Sequence, residues 1–188
     1  MTTHRMIVDL DRCIGCHSCT AACIQENEID LGRFYTKVIN VGPTGTYPNV
    51  EEYYLPVKCQ HCETPTCVKV CPTGASYRRE DDIVLVDHNK CIGCEYCIMA
   101  CPYGVRSRND RLGVIEKCTL CAHLVDDGKN PACVDICPGH ARIFGDADDP
   151  ASEVAQKLAS AGDSLHRLAD VGNTPGEAFL LANQTWRS

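Results

Sequence analysis

Sixteen cysteines, arranged as four groups of four, are the feature that most constrains how this 188-residue chain can fold. Groups one and three have the spacing C-x2-C-x2-C-x3-C, group two has C-x2-C-x4-C-x3-C, and group four has C-x2-C-x11-C-x3-C. A proline follows the last cysteine of groups two, three and four. Only 6% of the residues are aromatic, so cysteine is an abundant candidate for the core. In order, the groups are Cys13, Cys16, Cys19 and Cys23; Cys59, Cys62, Cys67 and Cys71; Cys91, Cys94, Cys97 and Cys101; and Cys118, Cys121, Cys133 and Cys137.

This spacing favours iron–sulfur clusters over other uses of cysteine. The run C-x2-C-x2-C-x3-C-P is typical of bacterial ferredoxins, in which three close thiolates hold one cluster and the fourth binds another cluster. Zinc is the main alternative, because paired C-x2-C units also form four-cysteine zinc sites, although rarely with such even spacing. Disulfides are disfavoured because the N-terminus shows neither an apolar signal core nor a twin arginine. At four ligands per cluster, sixteen cysteines predict four 4Fe-4S clusters with no ligand left over.

The residues around the cysteines suit a chain that wraps around a cubane. Gly15 and Gly93 lie between the first two cysteines of groups one and three, where the backbone must turn tightly. The x3 gap has the period of a helix, so the fourth cysteine can point away from its neighbours. Proline after that cysteine restricts the cysteine's backbone and leaves no unpaired N–H.

An internal repeat divides the sequence into related parts. Residues 8–23 and 86–101 are identical at nine of sixteen positions, and groups two and four also correspond around their Cys-Pro endings. The repeat predicts an α+β protein with two bacterial-ferredoxin-like modules, each carrying two clusters. The predicted units are a module of residues 58–111 with groups two and three, a module of residues 1–57 plus 112–147 with groups one and four, and a C-terminal extension of residues 148–188.

Short elements are expected around the cysteine groups. The β-branched runs at residues 6–9 and 83–87 predict strands that lead into groups one and three. Residues 75–87 predict a hairpin, and brief helices should carry the x3 gaps. Residues 24–57 and 122–132 are inserts relative to a minimal ferredoxin.

Two further segments have local signals of their own. A helix is predicted over residues 151–160, with Asp149 as its N-cap, Pro150 at its first position and Gly162 beyond its end. Residues 42–48 predict a loop because they are rich in Gly, Pro and Thr. No run of about eighteen apolar residues occurs, so we expect no membrane span.

The charge balance bears on partners and on the clusters. The net charge of −7 disfavours nucleic acid, because phosphate binding requires an excess of Lys and Arg. Four oxidised clusters with their thiolates would add about −8. One cation precedes each group, and we predict that these cations soften repulsion and tune cluster potentials; the alternative is that they are ordinary exposed residues at strand ends. The four are Arg12, Lys58, Lys90 and Lys117.

Other candidate residues are given structural roles. The ligand count is already complete, so histidines near the groups are predicted to be neighbours of the clusters or surface residues, with His140 a candidate hydrogen-bond donor to a sulfur; these are His17, His61, His123 and His140. Arg106, Arg108 and Arg111 are predicted to be a solvated loop, with docking of an acidic partner as the alternative. Motifs of hydrolases and nucleotide-binding enzymes are absent from the sequence. The sequence leaves open whether the extension packs on the modules or on a partner.

These motifs closely resemble the four-cluster iron–sulfur subunit of the complex iron–sulfur molybdoenzymes, the dimethyl sulfoxide reductase family. The resemblance covers residues 6–149 and is closest to small subunits of polysulfide, thiosulfate and arsenate-type reductases. It includes Cys23-Ile-Gln-Glu-Asn27, Cys-Pro-Thr-Gly-Ala75 and Cys118-Thr-Leu-Cys-Ala-His123. Group one lacks the terminal proline, as the family's first group commonly does.

The resemblance implies which cysteines share a cluster, and it implies partners. The implied sets are Cys13, Cys16, Cys19 and Cys137; Cys118, Cys121, Cys133 and Cys23; Cys59, Cys62, Cys67 and Cys101; and Cys91, Cys94, Cys97 and Cys71. The clusters would form a wire between a large catalytic subunit, which holds a molybdenum or tungsten bis-pterin, and a quinol-handling membrane subunit or other redox partner. Catalytic residues and a small-molecule substrate are not expected in this chain.

A dedicated electron-transfer subunit has several alternatives. A soluble polyferredoxin, a subunit of a hydrogenase or formate dehydrogenase, and a subunit of a soluble molybdopterin hydroxylase-type complex would use the same clusters. A self-sufficient enzyme would need an open iron site, and the complete cysteine sets argue against one. By its own sequence the chain is expected to be cytoplasmic, or exported with a partner that carries a twin-arginine signal.

Overall fold

Short strands and shorter helices surround the cysteine groups in the computed structural model, which describes residues 2–187. Met1 and Ser188, the outermost residues of the predicted N-terminal module and extension, lie outside the described residues. The strands are β1 (His4–Asp9), β2 (Thr36–Thr46), β3 (Asn49–Lys58), β4 (Ser76–Arg78), β5 (Val84–Val86), β6 (Ser107–Asn109), β7 (Val114–Glu116), β8 (Arg142–Asp146), β9 (Leu165–His166) and β10 (Ala178–Leu180). The α-helices are α1 (Ser18–Glu26), α2 (Thr66–Lys69), α3 (Tyr96–Met99), α4 (Ala122–Asp126), α5 (Ala132–Asp135) and α6 (Glu153–Ser160). This mixture is that of an α+β protein.

The largest sheet has the strand order β8-β1-β10-β9. Strand β1 pairs antiparallel with β8 and parallel with β10. Its residues Met6, Ile7 and Val8 are each at most 2% exposed and pack into three different apolar clusters. An unbroken apolar run fits a strand that is covered on both faces.

The predicted repeat elements are present around the cysteines. The hairpin predicted for residues 75–87 is formed by β4 and β5, and β6 and β7 form a second hairpin. Helices α1 and α3 carry the x3 gaps of groups one and three, as predicted. Each begins after a left-handed residue, His17 in one case and Glu95 in the other.

The loop prediction for residues 42–48 was wrong. Strand β2 continues to Thr46 and pairs with β3 beyond a register shift between Val41 and Thr44, so only Tyr47 and Pro48 remain as the turn. Pairing with β3 keeps residues 42–46 in a strand, although their Gly and Pro content alone predicts a loop. The long hairpin also brings Tyr53 into the core, where it is 2% exposed.

The helix predicted at residues 151–160 exists but begins later than expected. Its N-cap is Ser152, whose hydroxyl accepts a hydrogen bond from the Ala155 N–H at 3.1 Å. Asp149 accepts instead from the Ala151 N–H at 2.9 Å and shapes the preceding turn. Both residues are good N-cap types, and position relative to the sheet decides between them.

The C-terminal extension packs back on the rest of the molecule. It contributes β9 and β10 to the main sheet, and Trp186 stacks on His166 with ring centroids 4.9 Å apart. The Tyr53 hydroxyl donates to the Arg187 carbonyl at 2.6 Å, which ties the extension to β3. Across residues 2–187, no helix is both long and apolar enough to cross a bilayer.

Candidate metal centres

The structure gathers the cysteines into four sets, which we name sites A to D. Each combines three cysteines close in sequence with one from a different group. Three sets each line a small cavity, at sites A, C and D. At site B, Asn27 Nδ2 lies within 3.8 Å of both Cys23 Sγ and Cys121 Sγ, and Cys23 shares a buried cluster with Cys118. Burial and the thiolates of Cys118, Cys133 and Cys121 raise the pKa of Cys23. Site A is Cys13, Cys16, Cys19 and Cys137; site B is Cys23, Cys118, Cys121 and Cys133; site C is Cys59, Cys62, Cys67 and Cys101; site D is Cys71, Cys91, Cys94 and Cys97.

Tight turns allow three neighbouring thiols to converge at sites A and D. Gly15 and Gly93 both have positive φ, at +65° and +64°, a conformation that strongly favours glycine. A Cβ on Gly93 would also lie 2.3 Å from the Gly113 carbonyl oxygen. The sequence-based expectation for these two glycines is thus met by the backbone.

Backbone N–H groups contact cysteine sulfurs at three of the four sites. The Ala141 N–H lies 3.3 Å from Cys137 Sγ, and the Ser76 N–H lies 3.4 Å from Cys71 Sγ. The N–H groups of Ile115 and Leu120 make equivalent contacts to Cys91 and Cys118 at 3.4 Å. Such contacts stabilise negative charge on sulfur and raise the potential of a bound cluster.

The four-thiol sets fit 4Fe-4S clusters chemically. Burial raises the pKa of several thiols, that of Cys62 to about 12, so metal binding must displace protons from them. Buried cations lie near these thiols and can compensate the resulting negative charge. Among the described residues, Arg106 Nη1 and Arg142 Nη2 have no hydrogen-bond partner although both are buried. An anionic cluster would supply the missing counter-charge.

The four cations predicted to adjoin the clusters divide into two kinds. Lys58 and Lys117 are each 2% exposed, whereas Arg12 and Lys90 lie on the surface. Burial disfavours the Lys58 ammonium, but the Glu177 carboxylate 2.6 Å away raises its pKa. Burial lowers the pKa of Lys117, whose Nζ donates to the Cys118 carbonyl at 2.7 Å and to the Val84 carbonyl.

The prediction that Arg106 belongs to a solvated loop was wrong. Its guanidinium is buried, and Nη2 lies 2.8 Å from Cys67 Sγ and 3.0 Å from the Ser76 hydroxyl. Arg142, also buried, lies 3.7 Å from Cys133 Sγ. Both arginines follow the last cysteine of their group by five residues, in Cys-Pro-x2-[Val/Ala]-Arg. That repeated spacing could have identified them, whereas Arg108 and Arg111 are exposed as expected.

Two asparagines near the sites were given no role in the sequence analysis, although Asn27 ends the motif Cys23-Ile-Gln-Glu-Asn27. Asn173, from the C-terminal extension, donates to Cys62 Sγ at 3.1 Å and to the Tyr103 hydroxyl at 2.8 Å. Asn27 lies 3.7 Å from Cys23 Sγ and 3.8 Å from Cys121 Sγ. The contacts of Asn173 with Cys62 and of Asn27 with Cys121 depend on packing between distant segments, whereas Cys23 lies only four residues before Asn27.

The histidines have varied positions. His61 is fully buried and accepts the Val84 N–H at 3.1 Å; burial, with the nearby lysines, lowers its pKa well below the usual value. His123 pairs with Glu26 at 2.8 Å, and His17 precedes α1. His140 is exposed, and the backbone of the next residue contacts Cys137 instead.

Comparisons with known proteins agree with this chemistry. The 4Fe-4S dicluster domain family matches residues 12–75 and 50–147. A subunit of tetrathionate reductase from Salmonella typhimurium is 43% identical over 95% of this chain and 72% of its own length. The thiosulfate reductase electron transfer subunit of Salmonella typhi is 45% identical over 88% of this chain and 92% of its own. A subunit of sulfite dehydrogenase from Allochromatium vinosum is 40% identical over 98% of this chain and 85% of its own length.

Proposed function

Since the chain belongs to the iron–sulfur subunit family of the complex iron–sulfur molybdoenzymes, we propose that its four sites form one wire in the order A, B, C, D. The chain carries four 4Fe-4S clusters and relays single electrons as a non-catalytic subunit of an oxidoreductase complex. Each cluster, when bound, accepts or donates one electron. The sixteen cysteines provide the ligands, four at each site.

The order of the wire rests on which cysteines pack together between sites. Cys19 of site A and Cys133 of site B share one buried cluster of side chains. Cys118 of site B shares a second with Cys59 of site C. Cys67 of site C and Cys97 of site D share a third. This linear sequence of contacts is the observation that carries the proposal.

The proposed modules follow from the same pairing. Sites C and D use cysteines of residues 58–111, while sites A and B use cysteines of residues 1–57 plus 112–147. Residues 148–188 then act as an extension that closes the module of sites A and B. The extension also reaches the module of sites C and D through Asn173.

Exposed groups at the two ends of the wire support electron exchange with partners there. Cys16 of site A and Cys94 of site D are exposed, and so are Ile14 and Ile92 beside them, at 64% and 65%. The family implies a large catalytic subunit, and we place it at one end of the wire. At the other end we propose a quinol-handling membrane subunit, through which this chain associates peripherally with the membrane. The polyferredoxin alternative is not favoured, because the relatives are subunits of reductase or dehydrogenase complexes.

The proposed ligand sets can be tested by combining alanine variants. Anaerobically purified protein should contain about 16 iron and about 16 sulfide per chain. In EPR spectra of the reduced protein, Cys13→Ala with Cys137→Ala should perturb one cluster, because both belong to site A. Cys13→Ala with Cys133→Ala should perturb two. The reverse pattern would overturn the pairing, and stoichiometric zinc without sulfide would overturn the clusters.

The two ends can be tested by copurification of the native complex. Ile14→Asp and Ile92→Asp place a charge on opposite ends, so each should weaken binding of a different partner. Leu31→Asp, at a fully exposed position, is the matched control. Loss of the same partner in both end variants would contradict the assignment.

A further inference from the structure

Buried cations occupy the boundaries between successive sites. Arg142 is 4% exposed and lines the cavity of site A, while its Nη1 lies 3.7 Å from Cys133 Sγ of site B. Burial opposes its charge, yet the thiolates of Cys133 and Cys19 raise its pKa above the usual range. One guanidinium therefore faces two sites.

Arg106 has the corresponding position in the other module. It lines the cavity of site C, and its Nη2 lies 2.8 Å from Cys67 Sγ. The same nitrogen contacts the Ser76 hydroxyl, and the Ser76 N–H contacts Cys71 Sγ of site D. Burial opposes its charge too, but thiolates of both sites, including Cys97, raise its pKa. Arg106 thus bridges sites C and D as Arg142 bridges sites A and B.

The middle boundary has two cations and one anion. Lys58 is buried and immediately precedes Cys59 of site C, which shares a buried cluster with Cys118 of site B. Lys117 immediately precedes Cys118 of site B, and its Nζ donates to the carbonyl of Val84, a residue that lines the cavity of site C. Glu177 pairs with Lys58 at 2.6 Å, which leaves Lys117, whose Nζ donates only to the Val84 and Cys118 carbonyls, as the cation without an anionic partner among residues 2–187.

We propose that each of the three gaps of the wire holds one net buried positive charge, which stabilises the reduced state of the two clusters on either side. Reduction adds negative charge to a cluster that already carries about −2 and that lies next to another anionic cluster. A buried cation between them lowers the cost of that added charge, because screening by water is weak in the interior. The proposal rests on the wire described above.

Redox titration of the anaerobic holoprotein, followed by EPR, tests this proposal. Arg106→Gln should make reduction of the clusters at sites C and D about tenfold less favourable. For one electron this lowers their potentials by about 59 mV. Sites A and B should change by less than twofold. Arg142→Gln should show the opposite distribution. Glu177→Gln should raise the potentials at sites B and C, because it removes the anion of the middle gap.

Charge and shape are separated by conservative and surface variants. Arg106→Lys and Arg142→Lys should keep potentials close to those of the unchanged protein. Arg111→Gln removes an exposed arginine from the same module and should shift none. Equal shifts at all four sites, no shift, or Lys variants that shift as far as the Gln variants would overturn the proposal.

Iron content is measured first in each variant. If a Gln variant fails to retain four clusters while its Lys counterpart retains them, the requirement for charge is supported; if both fail, it is overturned. Failure of the cysteine pairing test would instead contradict the ligand sets, so the two failures are distinguishable.

Discussion

Asn173 reaches from the C-terminal extension to a cysteine that lies 111 residues earlier in the chain. The residue is fully buried, and its amide donates to both Cys62 Sγ and the Tyr103 hydroxyl. Burial raises the pKa of Tyr103 to about 12, so its hydroxyl remains neutral and is a suitable acceptor. A single amide therefore adjusts the charge on a proposed cluster ligand and fixes the path of the extension.

We predict that Asn173→Ala lowers the potential of the cluster at site C. Loss of an N–H···S hydrogen bond removes stabilisation of the electron-rich sulfur, and the unpaired partners cost about 1–3 kcal/mol of stability. EPR-monitored titration gives the potential, with Asn183→Ala at an exposed position as the control. An unchanged site C potential would contradict the prediction.

The Lys58–Glu177 pair is another contact at the residue scale with a measurable consequence. Both side chains are 3% exposed. Lys58→Met leaves the Glu177 carboxylate buried without a counter-charge, and we expect a loss of about 3–5 kcal/mol. The double variant Lys58→Met with Glu177→Leu should recover much of it. The measurement is the guanidinium concentration at which visible cluster absorbance is lost.

Lys90 provides a matched control for that variant. It precedes group three as Lys58 precedes group two, but it is exposed and lies 3.4 Å from Asp87. Lys90→Met should therefore change stability by less than about 1 kcal/mol. Similar losses in both lysine variants would contradict a special role for the buried pair.

At the scale of elements, helix α6 depends on a cap that the sequence assigned to a different residue. Ser152 donates its hydroxyl to the Asp146 carbonyl and accepts from the Ala155 N–H, so it joins β8 to the helix. We predict that Ser152→Ala costs about 1 kcal/mol, measured as a lower thermal midpoint of the holoprotein. Ser160→Ala, at the exposed C-terminal end of α6, should cost less.

Elements near the cysteines were predictable because their signals are local. The β4–β5 hairpin and the x3 helices follow from short runs of residues that impose their own period. The outer half of the β2–β3 hairpin was not predictable, because its Gly and Pro residues are held by pairing across a register shift. Arg106 was misassigned for a related reason: its environment is created by cysteines from two groups, not by its neighbours in sequence.

At the scale of the whole molecule, the proposed clusters take the place of much of an apolar core. Cysteines belong to three of the four buried side-chain clusters found among residues 2–187. We therefore predict that removal of iron by a chelator unfolds both modules, because metal binding and folding are coupled. Far- and near-ultraviolet circular dichroism should lose their native signals, and they should return when iron and sulfide are restored anaerobically. Retention of native near-ultraviolet signals without iron would contradict this.

The proposed ligand sets come from the family resemblance and not from the cysteine spacing. Spacing alone identifies three cysteines that converge, but the fourth comes from another group, as Cys137 does for site A. The contribution of the extension was not accessible at all, since Asn173 and Glu177 lie in a segment without a recognisable motif. Long-range pairing, which depends on the complete fold, accounts for what was missed.

Strand β10 lies between β1 and β9, so β1 lacks its parallel partner until residues 178–180 have been made. The cysteines of the proposed sites C and D lie together in residues 59–101, whereas Cys137, the fourth cysteine of site A, is made later, and β1 gains its partner β10 later still. The cysteines of the proposed sites are therefore completed in a fixed order during synthesis. The proposed sites C and D have all their cysteines once Cys101 has been made, while Cys13, Cys16 and Cys19 lack Cys137 until later and need protection from oxidation during that interval.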